Sequence, residues 1–336
     1  MKQIKGNIMK IRLYAYPLLA YLTFYSMAAT TNIPKKNFIF DFGGVLVLTD
    51  TMVSFRHIGM MNAVECSFRL GINPFYLDQH IKTTLFAILD EIEKVHNLSQ
   101  ANAYHQAYDE KGNELPCILC AWLQGTMTSS EIKALVEKEI NLHPEWFGCH
   151  AEQRIIQNTT RLIFTPELFA SSVRVSHAGI AFIKRCKREG HKIYGLSNWD
   201  AESFALLKEQ HPELFDLFDG IIVSGEVKAN KPHATIYQIL LERYQLCAEN
   251  CWFIDDQKEN VEAAQKLGIN AIVHNSSFVK LIQNIRITYS KSARRENLNT
   301  NGKSDTTIKS TNNAIIDGEN ISLTDSTKFN CLPANV

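Results

Sequence analysis

Four short polar clusters in this chain each follow an apolar run, and they hold the residues best suited to chemistry: Asp41, Ser197 with Asn198, Lys231, and the pair Asp255 and Asp256. Brought together, three carboxylates repel one another unless a cation or shared protons relieve them. Hard oxygen donors with no favourable His or Cys set point to Mg²⁺, held by a few carboxylates and a substrate phosphate. A carboxylate close to such an ion can attack phosphorus and form an aspartyl-phosphate, which splits hydrolysis into two steps. Ser197 and the backbone near Asn198 would then hold phosphate oxygens, and the Lys231 ammonium would offset the charge of phosphate and carboxylate together. Each residue also has an ordinary alternative. Aspartates after strands shape turns and cap helices, Ser197 can be a turn hydroxyl, and Asn198 and Asn260 can order loops.

Only a particular fold brings residues so far apart in sequence to one place. Phe38-Ile39-Phe40 reads as a buried strand that stops at Asp41. Further strands are expected over 192–196, ending at Ser197, over 220–223, leading towards Lys231-Pro232, and over 251–254, ending at Asp255-Asp256. Between them, Ser176 can cap a helix that carries Ile180, Ile183 and Cys186 on one face, and Gly190 can end it. Ile236, Ile239, Leu240 and Tyr244 keep helical spacing, as do Val261, Ala264 and Leu267 before Gly268. Repeated β-α-β units make an α/β fold, a doubly wound parallel sheet whose strand ends form one ligand crevice.

The segment 51–169 interrupts this alternation and reads as an inserted, mainly helical cap domain, so the core comprises 36–50 and 170–286. Ile81, Leu85, Ile88, Leu89 and Ile92 share one helical face, and Thr128-x-x-Glu131 is a capping box opening another helix. An insertion that enters and leaves beside the crevice can act as a lid that supplies specificity and excludes water. Trp199 is expected to pack at the rim.

The segment Phe40-Asp41-Phe42-Gly43-Gly44-Val45-Leu46 resembles the first motif of the haloacid dehalogenase (HAD) superfamily. Leu196-Ser197-Asn198 resembles its second, Lys231-Pro232 its third, and Phe253-Ile254-Asp255-Asp256 with Asn260 and Ala263-Ala264 its fourth. All four occur in order, each on the expected element. The resemblance implies a Rossmann-like core, Asp41 as nucleophile, and Ser197 and Lys231 as phosphate ligands. It also implies Mg²⁺ held by Asp41, the carbonyl of Gly43, Asp255 and Asp256. Lys231 is preferred to the nearby Lys228 because Pro232 follows it. The activity implied is a phosphatase acting on a small phosphorylated metabolite.

One residue departs from the pattern. Phosphatases of the superfamily usually carry a second aspartate two positions after the nucleophile, to protonate the leaving group and later activate water, and this chain has Gly43. Losing a general acid costs about 10²- to 10⁴-fold in rate. The loss bites least when the leaving group is already acidic, which favours sugar 1-phosphates or acyl phosphates over alkyl phosphates. A glycine here looks like the sugar-phosphatase-like branch that includes α-D-glucose-1-phosphate phosphatase. Asp50 could substitute through a water, or be a solvated loop residue. Two other activities share the motifs: carbon–halogen hydrolysis, which does not use the metal pair, and a non-catalytic binding or effector role.

Composition narrows the partners. Lys+Arg and Asp+Glu are both 35 in a chain of 336 residues, so no global field draws in nucleic acid. Basic residues Lys2 to Arg12 precede an apolar run, 13–27, and Ala28-Ala29, so 1–29 reads as a signal peptide for export, with an uncleaved membrane anchor or an incidental leader as alternatives. The polar end, 287–336, reads as a disordered tail. Eight scattered cysteines lack the spacing of a zinc site, and the lone Cys117-x-x-Cys120 reads as packed thiols. Nothing in the sequence speaks to oligomeric state.

Overall fold

The computed structural model describes residues 36–98, 104–275, 277, 278, 280 and 281. The expected leader and tail lie outside the described residues. The first strand, β1 (Asn37–Phe40), leads through a tight turn into β2 (Val47–Thr49). The chain then runs through α1 (Thr51–Ile58), α2 (Met60–Leu70), α3 (Leu77–His96), α4 (Cys117–Leu123), α5 (Ser129–Leu142), α6 (His150–Ile163) and α7 (Pro166–Ser171). It returns through β3 (Val173–Val175), which pairs antiparallel with β2. The inserted helices therefore hang from a two-stranded ribbon, tied further by the Asp50 amide donating to the Ser172 carbonyl at 2.8 Å.

Beyond the ribbon follow α8 (His177–Arg188), β4 (Lys192–Ser197), α9 (Ala201–Gln210), α10 (Pro212–Phe215), β5 (Gly220–Val223) and α11 (Ser224–Val227). The core closes with α12 (Ala234–Arg243), β6 (Cys251–Asp255), α13 (Lys258–Lys266) and β7 (Asn270–Val273). The sheet runs β5-β4-β1-β6-β7, every pairing parallel. Strand order reverses beside β1, which puts the crevice at the carboxyl ends of β1 and its neighbours β4 and β6.

Side-chain alternation along the strands builds two cores, one on each face. Phe38 and Phe40 join Ile183, Phe204, Leu207 and Leu214 on one face, whereas Ile39 joins Leu196, Phe253, Ile236 and Tyr237 on the other. Burial on both faces is what makes these strands continuous apolar runs in sequence. The inserted helices have a separate core in which Ile81, Leu85, Ile88, Leu89 and Ile92 of α3 meet Ile132 and Val136 of α5 and Ile155 and Ile156 of α6. The capping box at α5 is formed: the Glu131 amide donates to Thr128 Oγ1 at 3.2 Å, and the Thr128 amide to Glu131 Oε2 at 2.8 Å. Trp199 differs from expectation. It is buried among Phe169 and Phe204, with its indole N–H on Ser203 Oγ at 2.9 Å, because the turn after β4 folds inward onto α9.

Candidate active site

The turn after β1 is shaped by its own amides. Leu46 and Val47 both donate to the Phe42 carbonyl, at 2.9 and 2.7 Å, which curls the chain back and leaves Asp41 at the mouth of the crevice. Gly44 sits in the left-handed region at φ 70°, and a β-carbon there would collide with the Asp256 carboxylate, so only glycine fits. Across the crevice the Asp41 amide donates to the Ile254 carbonyl at 2.9 Å, which joins the ends of β1 and β6 and sets Asp41 beside Asp255 and Asp256. One ligand oxygen from each of these three carboxylates lies within 4.8 Å of the others.

Three donors converge on a single oxygen of Asp41. Oδ1 accepts from the Phe42 amide at 2.7 Å and Ser197 Oγ at 2.9 Å, and pairs with Lys231 Nζ at 2.9 Å. Oδ2 accepts none of them. Lys231 also binds Asp255 Oδ2 at 2.7 Å and the Leu196 carbonyl at 3.0 Å, so a completely buried ammonium bridges the ends of three strands. Asp255 Oδ1 is fixed by the Gln257 amide at 2.8 Å and Asn260 Nδ2 at 3.0 Å. Lys228, the rival lysine, points elsewhere: its Nζ donates to the carbonyls of Gly125 and Gly225.

The electrostatics follow from burial. Desolvation pushes the Asp41 carboxyl up to about 7; Lys231 opposes that rise, and Asp255 and Asp256 add to it. Asp256 rises to about 6 through burial and then the charge of Asp255, with Glu110 of the inserted segment contributing. Burial pulls Lys231 down, but Asp255 and Asp41 outweigh it and hold the ammonium above its ordinary value. Crowded, half-neutralised carboxylates with hard oxygens and no nitrogen or sulfur donor are the set that a divalent cation completes. Mg²⁺ fits these residues.

Several other residues have definite places. Asn198 clasps the main chain of Lys231, its Oδ1 accepting from the amide at 2.7 Å and its Nδ2 donating to the carbonyl at 2.9 Å. Of the roles open to it, the side chain thus shapes a loop, holding the main chain of Lys231. Asp50 caps α1, its Oδ1 accepting from the amides of Met52 and Val53, both at 3.1 Å. Sequence reasoning missed the contacts between the inserted helices with their loops and the lysine turn. Asn230 Nδ2 donates to the carbonyls of His105 at 3.0 Å and Cys120 at 2.8 Å, and the rings of His105 and His233 stack at 3.7 Å. Ser224 Oγ reaches the Leu123 carbonyl at 2.5 Å. The sequence offered one hint, a run of polar residues flanking Lys231-Pro232, but nothing to indicate their partners.

A haloacid dehalogenase-like hydrolase family model matches residues 35–268. Among characterised proteins, a sesquiterpene phosphatase of Aspergillus oryzae is 36% identical over 89 residues, 26% of this chain and 45% of that protein. A drimenol cyclase of Aspergillus calidoustus is 28% identical over 152 residues, 44% of this chain and 28% of that protein. The chain therefore spans less than half the length of either relative. Among solved structures, a HAD family enzyme of Bacteroides thetaiotaomicron in complex with magnesium and inorganic phosphate aligns at 15% identity and a TM-score of 0.44, covering 74% of this chain and 99% of that one. A HAD-like hydrolase of Porphyromonas gingivalis aligns at 16% identity and 0.43, covering 75% and 98%.

Proposed function

The chain belongs to the haloacid dehalogenase-like hydrolase family, and from that premise we propose that it is a Mg²⁺-dependent phosphatase acting on a small phosphorylated metabolite through an aspartyl-phosphate on Asp41. The observation that carries this reading is the convergence at one crevice of Asp41, Ser197, Lys231, Asp255 and Asp256, with three donors fixed on one oxygen of Asp41 and the other left for phosphorus. Asp41, Asp255, Asp256 and the Gly43 carbonyl would hold Mg²⁺, which supplies charge neutralisation for the phosphoryl group and the ionised nucleophile.

The protein's own groups perform the rest. The Phe42 amide, Ser197 and Lys231 orient the Asp41 carboxylate, so its attack requires little reorganisation. As phosphorus bonds to Oδ2 and the ester oxygen departs, Lys231 counters the charge gathered on the phosphoryl oxygens, and Ser197 Oγ can turn from Asp41 to one of them. Water then attacks phosphorus, giving its proton to the solvent; the bond to Oδ2 breaks, and inorganic phosphate leaves with the Asp41 carboxylate restored. With Gly43 in place of a second aspartate, the departing oxygen gets no proton from that position. This supports substrates with acidic leaving groups, sugar 1-phosphates or acyl phosphates among them, and the similarity to a sesquiterpene phosphatase adds a terpenyl monophosphate to those worth assaying.

The intact acidic pair speaks against carbon–halogen hydrolysis, which has no use for it. The deciding experiment is turnover of a phosphate-ester panel by the purified chain across a Mg²⁺ titration, with Asp41→Asn as control. Metal-dependent hydrolysis abolished by that substitution is expected. Halide release without metal, or no turnover of any ester, would overturn the proposal.

A further inference from the structure

Turnover on the reading above requires Lys231 to stay between Asp41 and Asp255, and the residue preceding it in the chain is tied to the inserted helices. Asn230 is completely buried, and its two amide hydrogens go to carbonyls of the inserted domain, those of His105 and Cys120. It is bonded directly to Lys231, whose own amide and carbonyl are clasped by Asn198. On the other side of Lys231-Pro232, His233 stacks on His105. The four residues 230–233 thus touch the inserted domain at both ends and carry the lysine between. Asn230 Oδ1 is buried without a partner, so the amide is oriented by the two carbonyls it must donate to.

We propose that Asn230 is a positioning residue: by donating to His105 and Cys120 it makes the placement of Lys231 conditional on the inserted domain being seated on the core. Ordering of the lysine and closure over the crevice then become one event, and the site is complete only when water is excluded. The consequence for turnover rests on the phosphatase reading; the clasp itself does not.

Hydrogen exchange of the full chain at pH 8, followed over 104–125, tests the clasp without any substrate. Asn230→Ala removes both donated hydrogen bonds and is expected to lower protection there by roughly tenfold to a hundredfold, the scale of two buried hydrogen bonds. Asn230→Asp keeps the shape but turns a carboxylate towards two carbonyls, and is expected to lower it further, while β1, β4 and β6 stay protected in both. At pH 5 the aspartate variant should regain protection relative to the unsubstituted chain, because a neutral carboxyl can donate one hydrogen; the alanine variant should not. A role in packing alone gives the reverse order, aspartate above alanine, and would overturn the proposal, as would unchanged exchange in both variants or no regain at low pH. Should the aspartate variant fail to fold, Asn230→Ser, which retains a donor, must exceed alanine; equality overturns it. In a chain that hydrolyses phosphate esters, turnover must fall in step with protection, and full turnover with an unprotected loop would sink the link to Lys231. A chain inactive on every ester leaves the exchange result standing.

Discussion

Gly43 and Gly44 adjoin in the turn after β1, yet the structure constrains them differently. A β-carbon on Gly43 would meet only the Trp199 ring, at 3.8 Å, an ordinary contact, so the position has room for a side chain. Gly43→Asp is therefore expected to fold normally and to restore a proton donor next to the crevice. The rate on an alkyl phosphate should rise by about 10²-fold or more, and that on a sugar 1-phosphate little, because only the poor leaving group needs the proton. Comparing kcat/KM for the two esters checks this, and an equal gain on both would refute the leaving-group argument. Gly44 has no such latitude. Gly44→Ala forces a β-carbon into the Asp256 carboxylate at a backbone conformation that costs of order 1–3 kcal/mol for other residues. It should lower the melting temperature and weaken Mg²⁺ binding together, measured by calorimetry; a variant with normal metal affinity would show that Asp256 is not a ligand.

At the scale of elements, the contact between the inserted segment and the lysine turn contains a titrating group. Burial, and then His233, hold the His105 imidazole below its ordinary value, so its neutral form is the one that stacks. A depressed imidazole contributes stability that is present above about pH 6.5 and lost as the pH falls through the lower folded value. Protection over 104–125, measured against the intrinsic exchange rate at each pH, should fall between pH 7 and pH 5, and His105→Phe, which keeps a stacking ring without a proton to gain, should flatten that dependence. A profile unaltered by His105→Phe would place the titration elsewhere. The elements on either side of this contact were legible from sequence, because burial enforces a period: Ile81, Leu85, Ile88, Leu89 and Ile92 line one face of α3, and Phe38 and Phe40 oppose Ile39 across β1. Asp41, Ser197, Lys231, Asp255 and Asp256 were legible for a related reason, since each terminates an apolar run or stands beside a proline. Asn230 and His105 were not. Their partners are backbone carbonyls and one ring more than a hundred residues away, and such single contacts leave no repeat in composition. Trp199 was misplaced at the rim because an aromatic after a strand gives no sign of which way its turn folds.

For the molecule as a whole, the crevice sets catalysis against stability. The full chain is formally neutral, but the site gathers buried Asp41 and Asp255 and half-buried Asp256 around Lys231, an excess of negative charge at the carboxyl ends of the central strands. Carboxyls whose folded values are raised, to about 7 for Asp41 and about 6 for Asp256, contribute stability that is complete below the unfolded value near 3.8 and is lost as the pH rises through the folded ones. The metal-free chain should therefore lose stability on this account between about pH 4 and pH 7, the range in which Asp41, the proposed nucleophile, becomes ionised. A cation that binds only the folded, ionised site reverses the loss, by about 2.7 kcal/mol at a hundredfold excess over its Kd. Thermal unfolding with and without Mg²⁺ should accordingly show a larger metal-induced rise at pH 8 than at pH 5. Asp256→Asn should raise the metal-free melting temperature at pH 8, by removing one of the repelling charges, while reducing the gain from Mg²⁺ and the turnover that depends on it. If the substitution instead lowers the metal-free melting temperature, Asp256 is held by attraction and not repulsion, and the crowded-carboxylate account of the metal site fails.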